Sequence, residues 1–316
     1  NLIEVPDCRF TMNDYGSDGI YITPRRVGED GWELSIKALI DNADCSHKAR
    51  FTLIDADGNE KASTIADLRP IISAKLPVED PVLWNGRKNP YLYTVRCEIF
   101  DSTTQEVTDN IDIRTGLREY HIDSHKGFFL NGEHIKLQGV SRHQDRENMG
   151  NAITEKQHAE DIKIILDVGA NSVRLAHYQQ NSYFYDLCDE SGLLVWAEVP
   201  VISRFSPKRN ENAEQQLVEL IKQNYNHPSI FCWGIENEIT IAGSANKKLI
   251  TFLKHMHKVA RHLDPTRYTT CAQLTTCPVN SPLNHITDII GYNHYYGWYM
   301  GPCDEINNWL DEWHRE

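Results

Sequence analysis

Two rhythms of apolar and polar residues divide the chain. In Trp32–Ile40 ("WELSIKALI") the residues Trp32, Leu34, Ile36, Ala38 and Ile40 take alternate positions, with Glu33, Ser35 and Lys37 between them. A period of two puts every second side chain on one face, so this segment predicts a strand with one buried face. Arg50–Glu60 carries a strand into an Asp57-Gly58 turn, and Pro90–Phe100 ("PYLYTVRCEIF") alternates again after the loop "PVLWNGRKNP". No helical period stands out in residues 1–120, and a small antiparallel β-sandwich is expected there.

After about Gly127 the rhythm changes. Strand-like runs at His134–Val140, Asn171–His177, Leu193–Val199, Ser229–Ile235, Tyr268–Leu274 and Asp288–Tyr296 are separated, for the most part, by segments of helical period. The clearest helix is "TEKQHAEDIKIILDVGA". Thr154 is placed as N-cap with Gln157 three residues on, and Ala159, Ile162, Ile165 and Leu166 form its apolar face; Gly169 fits the C-terminal cap. Further helices are expected in "SYFYDLCDES", "NAEQQLVELIKQNYN", "ANKKLITFLKHMHKVARHL" and the terminal "DEINNWLDEWHRE". Strands joined through helices imply right-handed crossovers and a parallel sheet. Six such units fit an open doubly wound sheet or an incomplete (β/α)8 barrel. The absence of G-x-G-x-x-G and G-x-x-x-x-G-K-[ST] after the first strand weighs against the nucleotide-binding version.

Composition narrows the class. The 316 residues carry a formal net charge of −13 with 40% hydrophobic residues. That length buries one large core or two moderate ones, and the acidic balance argues against nucleic acid or anionic membrane as partner. No apolar run approaches the roughly 20 residues of a membrane span; the best candidate, Gly192–Ile202, is short and contains Glu198. The eight cysteines lack C-x-x-C spacing, and Cys97, Cys188 and Cys232 lie in apolar runs. They read as buried reduced thiols, which points to a reducing, cytoplasmic compartment. The N-terminus has no initiator Met and no signal-like core, and reads as cut from a longer chain, so that an upstream signal would lie outside it.

Candidate chemistry sits where the apolar runs stop, because catalytic groups of such barrels gather at the C-terminal ends of the strands. The first run is followed by Arg142, His143 and Asp145, and the second ends in Arg174 and His177. The third gives Glu198, the fourth Glu236, Asn237 and Glu238, and the sixth Asn293, His294, Tyr295, Tyr296 and then Trp298. Any one of these alone is more often structural. Together, aromatic rings that stack on sugar faces and polar groups that bond hydroxyls suit a carbohydrate pocket. Sugar cleavage needs one protonated carboxyl and one ionised carboxylate. Glu236 and Glu238 are a poor choice for that pair. In barrel enzymes the pair comes from opposite strands, which sets the roughly 5–5.5 Å gap of a retaining mechanism.

Several long motifs carry a resemblance. "NHPSIFCWGIENE" (Asn226–Glu238) resembles the acid/base signature of glycoside hydrolase family 2, which includes β-galactosidases, β-glucuronidases and β-mannosidases. "GFFLNGEHIKLQGVSRHQD", "NSVRLAHYQQNSYFYDLCDESGLLVWAEVP" and "YNHYYGWY" are similar to further segments of that family, in order. "PVLWNGRKNPYLYTV" resembles the end of the immunoglobulin-like domain that precedes its barrel. The resemblance implies an immunoglobulin-like β-sandwich over residues 1–120. It further implies a (β/α)8 TIM-type catalytic barrel over 121–316 whose last two strands are absent from this chain.

By the same resemblance, Glu238 matches the general acid/base and Asn237 the residue that bonds the sugar 2-hydroxyl. Arg174 matches an arginine supporting the nucleophile carboxylate. His143, Asp145 and His177 match substrate-pocket residues, Tyr295 an active-site tyrosine, and Trp298 a nearby aromatic. Glu236 matches no family role and reads as structural. The nucleophile segment, resembling Ser-Glu-Tyr-Gly, does not occur here, so the 316-residue chain alone is expected to be inactive. Positions that would hold a magnesium ion in one bacterial β-galactosidase fall at about Ile202 and Arg204, so no metal is expected, nor any cofactor. "RHQDRENMGNAIT" looks closer to β-galactosidases, which makes release of terminal β-D-galactose the expected activity, with β-glucuronidase as the alternative. The contrasting class is a non-catalytic carbohydrate-binding fragment. A carbohydrate partner and a homo-oligomer complete the expectations.

Overall fold

A computed structural model describes residues 4–28 and 31–315. Its N-terminal part is two antiparallel sheets. In the first, Gly31–Asp41 is central and pairs with Ile20–Val27, with Ile71–Val78 and, at its end, with Arg9–Phe10. The second runs Val107–Thr115, Tyr93–Asp101, His47–Ile54, Glu60–Asp67. The alternation read in Trp32–Ile40 holds: Trp32, Leu34, Ile36, Ala38 and Ile40 are buried. They share one core with Phe51, Leu53, Leu76, Val95 and Ile99 from both sheets. Glu60–Asp67, Ile20–Val27, Ile71–Val78 and Val107–Thr115 escaped the pattern reading. The first of them has no fully buried position, so its apolar alternation is shallow.

The next segment corrects the sequence reading. His134–Val140 is not one strand. Glu133–Ile135 closes a three-stranded antiparallel sheet with Gly127–Leu130 and Tyr120–Asp123. Asn131-Gly132, both left-handed at φ 50° and 81°, turns Gly127–Leu130 back into Glu133–Ile135; this dipeptide is a strong hairpin signal, and Lys136–Gln138, outside any strand, then lead to the next sheet. The first barrel strand starts only at Gly139. Phe128 and Leu130 of this small sheet pack with Trp84, Leu194, Phe231 and Cys232, plugging the base of the second unit.

That unit is a six-stranded parallel sheet in sequential order: β1 (Gly139–Arg142), β2 (Ser172–Leu175), β3 (Leu194–Glu198), β4 (Ile230–Asn237), β5 (Tyr268–Leu274) and β6 (Ile289–Asn293). Helices α1 (Glu155–Asp167), α2 (Ser182–Ser191), α3 (Asn210–Gln223) and α4 (Lys247–Leu263) cross between the first five strands, and α5 (Ile306–Trp313) follows the sixth. Sequential parallel neighbours joined by helices are the arrangement of a (β/α)8 barrel, here left open. The ends of α1 follow the expected chemistry. Gln157 Oε1 accepts the Thr154 backbone N–H at 2.9 Å, and Gly169 stands at φ 81°. Its buried face differs by one position: Ala159 is exposed and His158 is buried, with His158 Nδ1 3.0 Å from Arg142 Nη2. The terminal helix is shorter than expected, and Glu316 lies outside the described residues.

β4 is buried at every position. Two buried arginines hold the carbonyls at its base. Arg118 donates to Pro228 O (2.8 Å) and Ile230 O (3.0 Å). Arg267 donates to Ile230 O (2.8 Å), Tyr225 O (2.8 Å) and His227 O (2.7 Å), and its charge is met by Asp264 at 2.7 Å. Buried carbonyls need such donors, and buried cations need such partners. The strand that delivers Asn237 and Glu238 is thereby fixed at its lower end. All eight cysteines are free; Cys45 and Cys303 are exposed and the rest buried. Among the described residues, no helix is long and apolar enough to cross a membrane.

Candidate active site

Arg174, at the third position of β2, organises the C-terminal end of the sheet. Its Nε donates to Glu198 Oε1 at the end of β3. Its Nη2 donates to Asn237 Oδ1 at 2.7 Å at the end of β4, and its Nη1 to Asn293 Oδ1 at 2.7 Å at the end of β6. The planar fork of guanidinium donors is what allows one side chain to bridge three strands. The guanidinium also lies over the Trp196 ring, 4.6 Å from its centroid. Glu198 is 1% exposed, and its second oxygen is 2.7 Å from His177 Nδ1. A buried carboxylate is tolerable when both oxygens are engaged in this way.

Asn237 Oδ1 accepts a second bond from Asn293 Nδ2 at 2.9 Å. With the oxygen taken twice, the amide orientation is settled by the network, and Nδ2 remains the donor turned to the site. Glu238 follows directly, 8% exposed and with φ 48°, a left-handed backbone unusual outside glycine. Its backbone is held by Glu238 N–H to Ala272 O at 2.8 Å and Ile241 N–H to Glu238 O at 3.0 Å. The Tyr295 hydroxyl donates to Glu238 Oε1 at 3.4 Å. Burial and the nearby Glu238 carboxyl push the Tyr295 hydroxyl pKa up, so it remains a donor.

The pairing of β4 with β5 contains a bulge that shapes this end. Gly234 faces Thr270 but Asn237 faces Ala272, so three steps on β4 match two on β5. A bulge adds one residue and re-aims the side chains beyond it. Within it Glu236 is 1% exposed. Burial raises its carboxyl to about 8, only partly offset by the Ile239 N–H, so it is protonated at neutral pH.

The sequence-derived residues are distributed unevenly. Arg174, His177, Asn237, Glu238 and Tyr295 come together. His143 is exposed and meets the cluster through His177, ring centroids 5.2 Å apart. Asp145 is exposed and makes no side-chain bond among the described residues. Trp298 is 72% exposed, stacked on Tyr299 at 4.1 Å and set edge-on to Tyr295 at 6.1 Å. Within these residues Arg174 engages Glu198, Asn237 and Asn293. In the sequence Glu198 and Asn293 are no more than strand-end residues; in the fold both are partners of Arg174. A lone carboxylate closing an apolar strand was the available signal.

Ile202 forms a bridge with Asn237, and Arg204 lines a separate cavity beside Phe205 and Phe252. Two groups bring three possible metal ligands within 4.8 Å: Cys8, Asp44 and His47, and Asp186, Asp189 and His227. The second lies at the base of β4, where Asp189 is already bonded to His227 Nδ1 and the Ser229 N–H, and Asp186 to Arg114.

The open parallel barrel thus gathers a carboxyl, an amide and aromatic rings at its strand ends. The profile of glycosyl hydrolases family 2, TIM barrel domain, matches residues 122–316, and a second profile, glycosyl hydrolases family 2, matches residues 18–118. The chain belongs to glycosyl hydrolase family 2. It is 36% identical over 319 residues to a β-glucuronidase of Bacteroides fragilis, covering 96% of this chain and 45% of that protein. It is 30% identical over 264 residues to a β-galactosidase of Thermoanaerobacter pseudethanolicus, covering 82% and 34%. The crystal structure of an FMN-binding β-glucuronidase from Facaelibacterium prausnitzii L2-6 superposes with a TM-score of 0.94 at 41% identity, covering 98% of this chain and 48% of that one. The chain thus spans less than half the length of each of these relatives.

Proposed function

We propose that the full-length protein containing this chain is a retaining β-glycosidase that releases β-D-glucuronic acid from β-glucuronides. Glu238 is its general acid/base. The observation that carries the mechanism is the placement of Glu238 beside Asn237 and under the Tyr295 hydroxyl, at the strand ends that Arg174 ties together. Glu238 donates a proton to the glycosidic oxygen and then activates water. Asn237 Nδ2 is the free donor for a sugar hydroxyl, since its oxygen is saturated by Arg174 and Asn293. His143, Asp145, His177 and Trp298 border the sugar. Glu198 is a poor nucleophile because Arg174 and His177 occupy both its oxygens. Attack on the anomeric carbon falls to a glutamate in a segment outside these 316 residues.

The choice of glycone rests on the relatives. Sequence motifs alone favoured galactosides, but the β-glucuronidase match covers more of the chain at higher identity than the β-galactosidase match. A β-galactoside remains the second reading on the strength of the latter. The division into a sandwich and a barrel unit near residue 120 belongs to the same proposal, supported by family matches that end at 118 and begin at 122. The test is a comparison of kcat/KM on p-nitrophenyl β-D-glucuronide and β-D-galactoside with the full-length protein. Preference for the glucuronide by tenfold or more, about 1.4 kcal/mol in the transition state, is expected. Preference for the galactoside would restore the reading from the motifs, and turnover of neither would leave a binding protein.

A further inference from the structure

Glu236 has no part in the chemistry described so far, yet its position is unusual. It sits inside the β4 bulge, two residues before Glu238, and is almost fully buried. Its Oε2 accepts the backbone N–H of Ile239 at 3.1 Å. That bond reaches across Glu238, the one residue of the segment with a left-handed backbone. The Ile239 side chain is itself buried, so water is a poor substitute for this acceptor. The other oxygen, Oε1, is buried without a partner, as is the Oε1 atom of Gln273 on the neighbouring strand. Gln273 Nε2 donates at 3.3 Å to the sulfur of Cys271, which lies between Ala272 and Thr270 on β5. A carboxylate here would leave one charged oxygen bare, whereas a carboxylic acid carries a proton on it and becomes a donor. The charged and titratable groups facing it are Glu198, Arg174, Cys271 and Cys277.

We propose that Glu236 is a positioning residue for Glu238. Its neutral side chain spans the acid's own backbone, accepts the Ile239 N–H, and holds Glu238 in the left-handed conformation that presents its carboxyl at the strand ends. Two other bonds, to Ala272 O and from Ile241 N–H, fix the Glu238 backbone from the β5 side and from the following turn. Glu236 supplies the third tether, from within β4. Its neutrality also keeps a second negative charge away from the acid. The inference rests on Glu238 being the general acid/base.

The test is made in the full-length protein with Glu236→Ala, Glu236→Gln and Glu238→Gln, measuring kcat and KM on p-nitrophenyl and methyl β-D-glucuronides, with the galactosides in parallel. A misplaced acid harms poor leaving groups most. Glu236→Ala therefore lowers kcat on the methyl glycoside by about 10- to 100-fold, with little change in KM and a much smaller loss on the nitrophenyl glycoside. Glu236→Gln keeps an acceptor for Ile239 and a donor in place of the acid proton, and recovers most of that loss. Equal losses on both leaving groups, or a glutamine variant as impaired as the alanine one, overturn the proposal. If Glu236→Ala does not fold, Glu236→Asp, which draws the carboxyl back by one methylene, is judged on the same two criteria. A leaving-group effect in Glu238→Gln but not in the Glu236 variants removes only the positioning role. No such effect in Glu238→Gln removes the acid assignment and the proposal with it.

Discussion

Arg174 Nη2 donates to Asn237 Oδ1 at 2.7 Å, while the Nε of the same guanidinium holds the buried Glu198. One side chain therefore sets the Asn237 amide and is paired with the Glu198 carboxylate. Arg174→Lys keeps the charge but not the fork, and cannot serve Glu198, Asn237 and Asn293 together. In the full-length protein it should lower kcat/KM by about 10²-fold or more, roughly 2.7 kcal/mol. Arg174→Met also strands Glu198 without its cation, at a cost of about 3–5 kcal/mol in chemical denaturation. A lysine variant with unchanged kinetics would show that the three-strand bridge has no functional weight.

Glu236 predicts a pH dependence of stability. Below about pH 4.5, its ordinary value, the carboxyl is protonated in both the folded and the unfolded chain and contributes nothing. Between there and its folded value of about 8, the unfolded chain has released a proton that the folded chain keeps. Stability therefore falls as pH rises through this window, at up to about 1.4 kcal/mol per unit. Glu236→Gln removes this slope. Urea titrations should find the variant more stable than wild type by about 1–3 kcal/mol at pH 7, with the difference gone at pH 4. A difference independent of pH would assign the effect to packing instead.

Gly192 marks a contact between the end of α2 and the loop that joins Ile71–Val78 to Tyr93–Asp101 in the sandwich. It lies at φ 70°, and a Cβ there would come within 2.2 Å of the Gly86 carbonyl oxygen. Backbone cannot yield as a side-chain tip can. Gly192→Ala should therefore cost more than about 1 kcal/mol in thermal or urea unfolding. Gly58→Ala, at φ 86° but with nothing near the added carbon, should cost less. Equal effects would show that the close approach is relieved elsewhere.

Much of this architecture was legible in the chain, for identifiable reasons. Trp32–Ile40 has one wet and one dry face, so its period is sharp. The helix after Thr154 has chemistry at both ends, so its bounds were readable. Glu60–Asp67 is half-covered along its length and leaves little contrast to read. His134–Val140 misled because two strands of different sheets lie there, separated only by Lys136–Gln138. At the site, strand-end polar residues were visible one by one. That Arg174 gathers Glu198, Asn237 and Asn293 was not, because it depends on β2, β3, β4 and β6 ending on one rim. The bulge that sets Glu238 apart from Glu236 is likewise a matter of register between β4 and β5, which a single strand's pattern does not contain.

The central claim is that Glu238 is the general acid/base, and a leaving-group series tests it most directly. Wild-type and Glu238→Gln full-length protein are compared on aryl glycosides of falling leaving-group acidity, ending in an alkyl glycoside. The account predicts that the variant retains much of its glycosylation rate on the most activated aryl glycoside and loses about 10²- to 10⁴-fold on the alkyl one, so that kcat/KM becomes steeply dependent on leaving-group pKa. A uniform loss across the series, with no change in that dependence, would contradict it.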